Sequence, residues 1–462
     1  VLDFTTTVPE VQIEVVTSGA RIDELATAFL PIKLTGFFDN QIKITGKLNQ
    51  PQIAGQFKLW EGSANGFLLD RVVGSYDYRA GELLLKDVEV ASLQALARIN
   101  GKMSGAEDLD FSVQANNIDL RHLPVNKEYT PQGYADFTGK LTGNVRQPVF
   151  KGNVQAKKIK LLNQEFTDVS GSLKSEIGLK TEFDLNFRQG TGQFDFYGGL
   201  DLLQAYLYGK LAVENADIAS LLALGKSDLE ATGLLTGEIN LNRRGKGTGI
   251  EVLGQIQAGS VRKIPLQNIQ IDILLDKRKV QINKFEALQG QQGKLVLLGN
   301  AEFAGAVNLE LAGQNLDAKL LTVLSKEPVD LTGNLDLLMQ VTGQTLKPDI
   351  STSVQIANGA LNSVAFDNLY ALLTVEQLQK LNIQQLFIEK QGYKASAYGY
   401  IPMDIFKPYA ERQDKAAQMD VLFKLDNADV GILTTLTKQV AYAKGAIFGD
   451  LRVTGDFNAP QL

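Results

Sequence analysis

Few side chains in this sequence of 462 residues could take part in covalent chemistry. Cysteine is absent and His122 is the only histidine, which leaves no candidates for thiol chemistry or for a histidine-rich zinc site. Two carboxylate pairs, Asp108 with Asp110 and Asp426 with Asp429, come nearest to the acid and base of a carbohydrate-active enzyme. Helix capping and a solvated strand face explain these carboxylates better, and a structural role explains His122. We therefore predict no enzymatic activity, no cofactor and no metal.

Charge and hydropathy argue against further classes of function. The net charge of −6 combines 46 basic with 52 acidic residues, which gives no basic field for nucleic acid and no polybasic membrane patch. The sequence contains no run of 18 apolar residues, which is the length that a helix needs to cross a bilayer. The glycine-rich segment Gly245–Gly249 is predicted to be a turn rather than a phosphate loop, because no helical pattern follows it.

A strand pattern followed by a helical pattern occurs several times along the chain. In Met419–Leu436, four apolar residues alternate with mostly polar ones, Asn427 and Asp429 follow, and three aliphatic residues then take helical spacing. The alternation predicts a strand with one apolar face, and Asp429 is a good N-cap for the helix. The counterparts of Asn427 are Asn117, Asn215, Asn315 and, in a weaker copy, Arg21, at intervals of 96, 98, 100 and 112 residues.

Each copy places a line of apolar side chains on one face of its strand. Of the sixteen such positions in the four good copies, fourteen are apolar and two are glycine. Phe183–Phe187 and Phe194–Phe196 alternate in the same way. This agreement indicates a repeat protein built from antiparallel strands. The candidate lining residues are Leu109, Phe111, Val113, Phe183, Leu185, Phe187, Phe194, Phe196, Leu207, Leu211, Val213, Val307, Leu309, Leu311, Met419, Val421, Phe423 and Leu425.

A second motif, Thr-Gly-x4-Pro-x-apolar, opens the repeats. Glycine permits positive φ and proline cannot donate to a sheet ladder, so the motif predicts a strand, a turn and the next strand. Another glycine precedes each motif by ten residues, and the third repeat keeps Gly245 but lacks the proline. The preceding glycines are Gly36, Gly133, Gly333 and Gly445, and the predicted turn pairs are Gly46 and Pro51, Gly143 and Pro148, Gly343 and Pro348, and Gly455 and Pro460.

These motifs divide the chain into repeats of one continuous elongated sheet, because no Pro/Ser-rich or Gly/Ser-rich linker separates them. We interpret the sequence as a fragment of a longer protein, with its targeting or anchoring segment outside it. The predicted boundaries are 1–30 for the end of a preceding repeat, then repeats at 31–129, 130–229, 230–329 and 330–442, the last with an insert near 405–418, and 443–462 for the start of a further repeat.

The apolar face could be either a packed core or an open groove. The recurrent helix has about two turns and is too short to cover so many strands. Ala115, Gly209 and Gly313 are expected to leave room in the face rather than to fill it. These two features favour a face that stays open along one side.

The repeated Thr-Gly-x4-Pro openings, the amphipathic strands and the Asn-x-Asp sequences before leucine-rich turns resemble the TamB family of the AsmA-like superfamily. The resemblance covers the whole sequence. It implies an all-β fold, a long repetitive antiparallel sheet curved into a U-shaped open half-pipe, or β-taco, with an apolar concave face and short helices at the unit ends. It also implies a periplasmic cell-envelope protein anchored in the inner membrane, phospholipids as ligands, and an Omp85-family outer-membrane barrel, TamA, as a partner in some lineages.

Two functions remain open at this point. In the first, the chain is a section of a periplasm-spanning lipid conduit whose apolar groove shields phospholipid acyl chains between the inner and outer membranes. In the second, it is a scaffold for the assembly of outer-membrane β-barrels or autotransporters, acting by strand pairing at an open sheet edge. If the face is a groove, we expect Phe111→Asp to block lipid passage and leave the fold largely intact; a packed core would instead unfold.

Overall fold

The protein is described by a computed structural model that confirms an all-β fold with antiparallel strands and short helices. The residues that the structure describes are 2–3, 8–23, 33–64, 67–105, 108–122, 130–145, 147–176, 180–201, 206–224, 227–244, 247–276, 278–322, 330–362, 364–406, 417–430, 442–456 and 459–462.

The chain divides into two compact units, and the first comprises Val1–Ala216. Its described strands pair antiparallel in chain order, each strand with the one before and the one after it. The strands are β1 (Leu2–Asp3), β2 (Glu10–Arg21), β3 (Leu34–Lys47), β4 (Gln52–Ala64), β5 (Phe67–Arg79), β6 (Glu82–Ser92), β7 (Ala95–Ser104), β8 (Asp108–Asp119), β9 (Gln132–Asn144), β10 (Gln147–Leu161), β11 (Gln164–Glu176), β12 (Lys180–Gln189), β13 (Gly192–Asp201) and β14 (Tyr206–Asp217).

The second unit comprises Asp217–Leu462 and follows the same plan. Its described strands also pair antiparallel with their neighbours in the chain. The strands are β15 (Ala231–Arg244), β16 (Gly247–Val261), β17 (Ile264–Leu275), β18 (Lys279–Gln289), β19 (Gly293–Glu302), β20 (Ala306–Asp317), β21 (Leu331–Gln344), β22 (Lys347–Leu361), β23 (Val364–Glu376), β24 (Lys380–Lys390), β25 (Tyr393–Pro402), β26 (Met419–Asp429), β27 (Ala446–Asp456) and β28 (Ala459–Gln461).

The helices of the described chain are short and follow strands. They are α1 (Ile218–Leu224), α2 (Lys319–Thr322) and two 3-10 turns, Leu120–His122 and Met403–Phe406. The helical residues expected after Asp429 and most of the insert near 405–418 lie outside the described residues. Each predicted repeat encloses six described strands, from β3 to β8, β9 to β14, β15 to β20 and β21 to β26. The repeat boundaries themselves remain a prediction.

Strand pairing brings apolar residues of the first unit onto one face. Directly paired residues of an antiparallel ladder project to the same side of the sheet. One row of such partners crosses every strand from β2 to β14 and contains only apolar residues and glycine. Along each strand, the residues that alternate with those of this face project to the other face. On β12 these include the polar residues Glu182, Asp184 and Asn186. The row, named row 1, is Ala20, Phe38, Leu59, Val72, Val90, Ala97, Ala115, Phe137, Val154, Gly171, Leu185, Phe196 and Leu211.

A corresponding row crosses the second unit from β15 to β27. Its one polar member is Thr352, whose hydroxyl donates a hydrogen bond of 3.2 Å to the carbonyl oxygen of Leu338. That bond satisfies the hydroxyl within the sheet. The row, named row 2, is Gly237, Gly254, Ile271, Phe285, Leu297, Leu311, Met339, Thr352, Leu373, Ile383, Gly399, Val421 and Val453.

The repeated asparagine occupies a left-handed backbone position beside a shift in strand register, which is the geometry of a β-bulge. Its φ is 59° at Asn117 and 49° at Asn315, and the pairing of β8 with β9 and of β20 with β21 shifts there. The backbone N–H groups of these residues donate to Asp136 and Asp336 on the next strand, each at 2.8 Å. Asparagine suits the position because it tolerates positive φ better than most residues.

This geometry corrects the alignment of the first copy. Gly19 has a φ of 62° and donates its N–H to Asp39 at 2.8 Å, as Asn117 does to Asp136. Gly19, and not Arg21, is therefore the counterpart of Asn117, and the first interval is 117 − 19 = 98 residues rather than 96. Arg21 instead pairs with Asp23 at 2.8 Å.

The aspartates after three of the bulges cap the turns that follow, which is the role that the sequence predicts for Asp429. Asp217 accepts hydrogen bonds from the N–H of Ser220 at 3.2 Å and from its hydroxyl at 2.7 Å. Asp119 and Asp317 accept from the N–H groups of Arg121 and Lys319 at 3.0 and 2.9 Å. The side chain of Asp429 lies outside the described residues.

The Thr-Gly-x4-Pro motifs form the predicted turns between strands. Each motif glycine has a φ near +90°, and three of the glycines pair directly with their prolines across the hairpin. In the third repeat the corresponding backbone pair is Arg243 and Thr248, so Gly245 does not replace the motif glycine. Gly245 itself lies outside the described residues. The motif glycines have φ values of 97° at Gly46, 91° at Gly143, 88° at Gly343 and 91° at Gly455, and the paired prolines are Pro148, Pro348 and Pro460.

Candidate functional site

The candidate site is the apolar face of each unit, defined by row 1 or row 2 and the residues that project to the same side. All eighteen candidate lining residues lie on this face of their unit. Each either belongs to a row or lies an even number of residues from a row member on the same strand. Whether these side chains contact a ligand remains a prediction.

Burial sorts these eighteen residues into groups. Leu207 is 43% exposed, whereas Phe194 is 2% exposed. A third group is half-buried and keeps part of its apolar surface available for contact with another molecule. The buried group is Phe111, Phe194, Val213, Val307, Met419, Val421 and Leu425, and the half-buried group is Leu109, Val113, Phe183, Leu185, Phe187, Phe196, Leu211, Leu309, Leu311 and Phe423.

Aromatic neighbours on the same face contribute to the burial of Phe194. The rings of Phe187 and Phe194 stack with centroids 5.1 Å apart and planes inclined by 5°. Phe166 meets Phe187 edge-on at 5.6 Å. These contacts join β11, β12 and β13, so they fill the surface of one sheet and do not require a second layer of protein.

The expectation that glycines leave room in the face is wrong. A Cβ atom on Gly209 would lie 2.6 Å from the Cα atom of Gly198 and 3.0 Å from Cε2 of Phe196. The Phe196 ring therefore lies against a pair of glycines that face each other on β13 and β14. At Gly313 the side chain of Leu316 occupies the corresponding space. Larger neighbours fill the space beside these glycines, which leaves the face packed within the sheet.

The position of Phe111 changes the expected outcome of Phe111→Asp. Phe111 is buried, and a Cβ atom on its direct partner Gly101 would lie 2.9 Å from its ring carbon Cδ1. An aspartate there would leave a carboxylate unpaired in a packed site, which destabilises the fold. Phe111→Asp is therefore expected to destabilise the fold even if the face is an open groove, and half-buried Leu185 is the better position for testing contact with a ligand.

In the first unit, two buried apolar clusters lie near the strand ends that carry the bulges. Ile22 and Leu59 form one buried cluster there, and Leu120 forms another with Ala135 and Ala156. Toward the opposite strand ends, apolar residues of the same face remain substantially exposed, among them Ile13 at 42% and Leu207 at 43%. The apolar face thus has buried clusters near the bulged strand ends and accessible apolar side chains toward the other strand ends.

Sequence reasoning missed most members of the two rows. Phe137 and Val154 in row 1, and Phe285 and Leu297 in row 2, were not singled out as lining residues. Alternation in β9, β10, β18 and β19 was the available signal. Strand register was needed to show that these residues form one continuous row.

Three of the four carboxylates considered for catalysis lie on the polar face, namely Asp108, Asp110 and Asp426. Asp110 is an exposed residue whose Oδ1 atom lies 3.8 Å from Nζ of Lys140. His122 is largely exposed, with Nδ1 3.6 Å from Asp119. Hydrogen bonds from Arg121 lower the pKa of Asp119 to about 2, in keeping with its role as a cap. Across the described ranges, no three histidine or acidic side chains are grouped so that they could hold a metal.

No family model matches this chain, and no curated protein or solved structure matches it either. The resemblance to the TamB family therefore stays a prediction from the sequence. In the part of the chain that the structure describes, no helix is long and apolar enough to span a membrane.

Proposed function

We propose that this chain is a section of a lipid conduit in which phospholipid acyl chains lie against the apolar face of each unit. The observation that carries the proposal is the continuity of row 1 and row 2. Each crosses thirteen consecutive strands, and Thr352, whose hydroxyl is already bonded, is the only polar member.

The energetics of acyl chains favour such a surface. Exposing one methylene to water costs about 0.8 kcal/mol, so a sixteen-carbon chain costs about 12 kcal/mol. A continuous apolar row removes much of that cost at every strand, and half-buried side chains such as Leu185, Phe196 and Leu211 offer surface for contact. A lining of similar residues also lacks a strong trap, which would stop a moving lipid.

The remaining features belong to the same proposal and rest on the resemblance to the TamB family. They are a U-shaped half-pipe with the apolar face on its concave side, a periplasmic location, an inner-membrane anchor outside this sequence, and an outer-membrane partner of the TamA type. Headgroups in such a half-pipe stay in water along the open side. The face supplies no direction, which would come from lipid gradients or partners.

Lipid analysis of the purified protein tests the proposal. We expect mass spectrometry of an extract to find phospholipid bound to the chain, and small-angle scattering to find an elongated particle. A compact particle without lipid would show that the face is an internal core. An elongated particle without lipid would contradict the conduit and favour the assembly scaffold, which uses the sheet edge and gives the apolar face no role.

A further inference from the structure

A pocket opens on the apolar face of the second unit, between β22 and β27. It encloses about 230 Å³, which exceeds the roughly 150 Å³ that is enough for benzene in an engineered cavity. Ala395, Ala397 and Phe423 line its apolar part, and Lys390 and Tyr393 line the end next to the β24–β25 hairpin. The pocket is thus apolar inside and carries a cation and a hydroxyl at one end.

Two alanines create the space. In the β24–β25 hairpin, Ala395 pairs with Ile388 and Ala397 pairs with Leu386. At the same distance from the turn in the β12–β13 hairpin, the residues on the second strand are phenylalanines that fill the face. These phenylalanines are Phe194, paired with Phe187, and Phe196, paired with Leu185.

The residues at the polar end of the pocket differ from those at the same place in the two preceding repeats. Lys390 stands where the hairpins of the two preceding repeats have Gln189 and Gln289, and its direct partner is Tyr393 where theirs is glycine. Lys390 is half-buried and lies two residues after Ile388 on β24, so it projects to the apolar face. A lysine there can approach an anionic group while its methylenes remain against apolar surface.

We infer that this pocket holds one acyl chain of an anionic phospholipid, with the phosphate at Lys390 and Tyr393. The inference rests on the proposed function. It adds a preferred binding position on the apolar face and a preference for anionic lipid. The second acyl chain lies along the face beside Phe423, which remains half-buried. A free fatty acid offers similar chemistry, and the test below separates it from the phospholipid.

Spin-labelled lipids measure both parts of this inference. Phosphatidylglycerol and phosphatidylcholine, each with a nitroxide near the end of one acyl chain, are presented to the protein in phosphatidylcholine vesicles. We expect the immobilised fraction, read by electron spin resonance, to favour phosphatidylglycerol by about tenfold, the effect of one charge-assisted contact. Lys390→Gln, which introduces the residue found at Gln189, is expected to remove that preference.

Lys424→Gln is the matched charge control, because Lys424 is exposed on β26, projects to the opposite face from its neighbour Phe423 and does not line the pocket. It removes the same charge and is expected to preserve the preference. Ala397→Phe and Ala395→Leu fill the pocket with residue types found at the same places in other hairpins, and both are expected to reduce the immobilised fraction of either lipid. Circular dichroism confirms the fold of each variant.

The inference is overturned if Lys390→Gln and Lys424→Gln behave alike. It is also overturned if every filling variant that remains folded binds lipid as the parent does. It is also overturned if spin-labelled stearic acid depends on Lys390 and phosphatidylglycerol does not. If lipid remains immobilised elsewhere on the face in the filled variants, only the pocket assignment fails. If no lipid is immobilised by the parent, the proposed function fails as well.

Discussion

Leu185→Asp is expected to slow phospholipid transfer by about a hundredfold. Leu185 is a half-buried member of row 1, directly paired with Gly171 and Phe196. A carboxylate at this point must lose water when an acyl chain passes, at a cost of about 2.7 kcal/mol, which is about a hundredfold in rate. The measurement is the rate at which the protein moves fluorescent phosphatidylglycerol from donor to acceptor vesicles.

Tyr197→Asp is the matched control for this variant. Tyr197 is 71% exposed on the neighbouring strand β13 and projects to the polar face, where its direct partner is Asp184. The substitution adds the same charge without placing it on row 1, so transfer should remain close to that of the parent. Equal transfer by Leu185→Asp and Tyr197→Asp, with both proteins folded, would show that lipid does not travel along this face.

Gly209→Ala is expected to reduce the local stability of β13 and β14 by about 3 kcal/mol. Gly209 has a φ of 148°, which alanine adopts only with strain. Its added methyl group would also meet the carbonyl oxygen of Tyr197 at 2.5 Å and the Phe196 ring at 3.0 Å. Hydrogen exchange measured by mass spectrometry should show a loss of protection of about 150-fold in these two strands.

Gly449→Ala separates backbone strain from packing. Gly449 has nearly the same φ, 146°, but a Cβ atom there would meet nothing within 4 Å. We expect its strand, β27, to lose about 1 kcal/mol of protection, the cost of the backbone alone. Each variant is compared with the same strand of the parent protein. If protection falls equally in Gly209→Ala and Gly449→Ala, the packing of the Phe196 ring against Gly209 does not contribute to stability.

Local sequence patterns predicted the sheet because each strand pairs with its neighbours in the chain, so alternation and turn motifs are enough to define the strands. Alternation identified strands such as β12 and β26, and the Thr-Gly-x4-Pro motifs gave the turns with the required positive φ. Asp119, Asp217 and Asp317, which are the counterparts of the predicted cap Asp429, each accept a hydrogen bond from the turn that follows. These features depend on residues close together in the chain, so the sequence contains the information directly.

Features that depend on pairing between strands were harder to predict. Asn117 was placed as a residue before a helix, whereas its main role is a left-handed bulge position that bonds to Asp136 on the next strand. The small residues were expected to leave space, but Gly198 and Gly209 are paired under the ring of Phe196. Which small residues create a pocket and which support a ring follows from their partners across the sheet.

The most direct test of the account is to ask which face of the sheet meets acyl chains. Benzoylphenylalanine replaces Phe183, half-buried on the apolar face, or Tyr197, exposed on the polar face of the adjacent strand. After irradiation with phospholipid vesicles, mass spectrometry measures the yield of adducts on acyl carbons. The account predicts adducts from position 183 and few or none from position 197. Equal yields from the two positions, or adducts only from position 197, would contradict it.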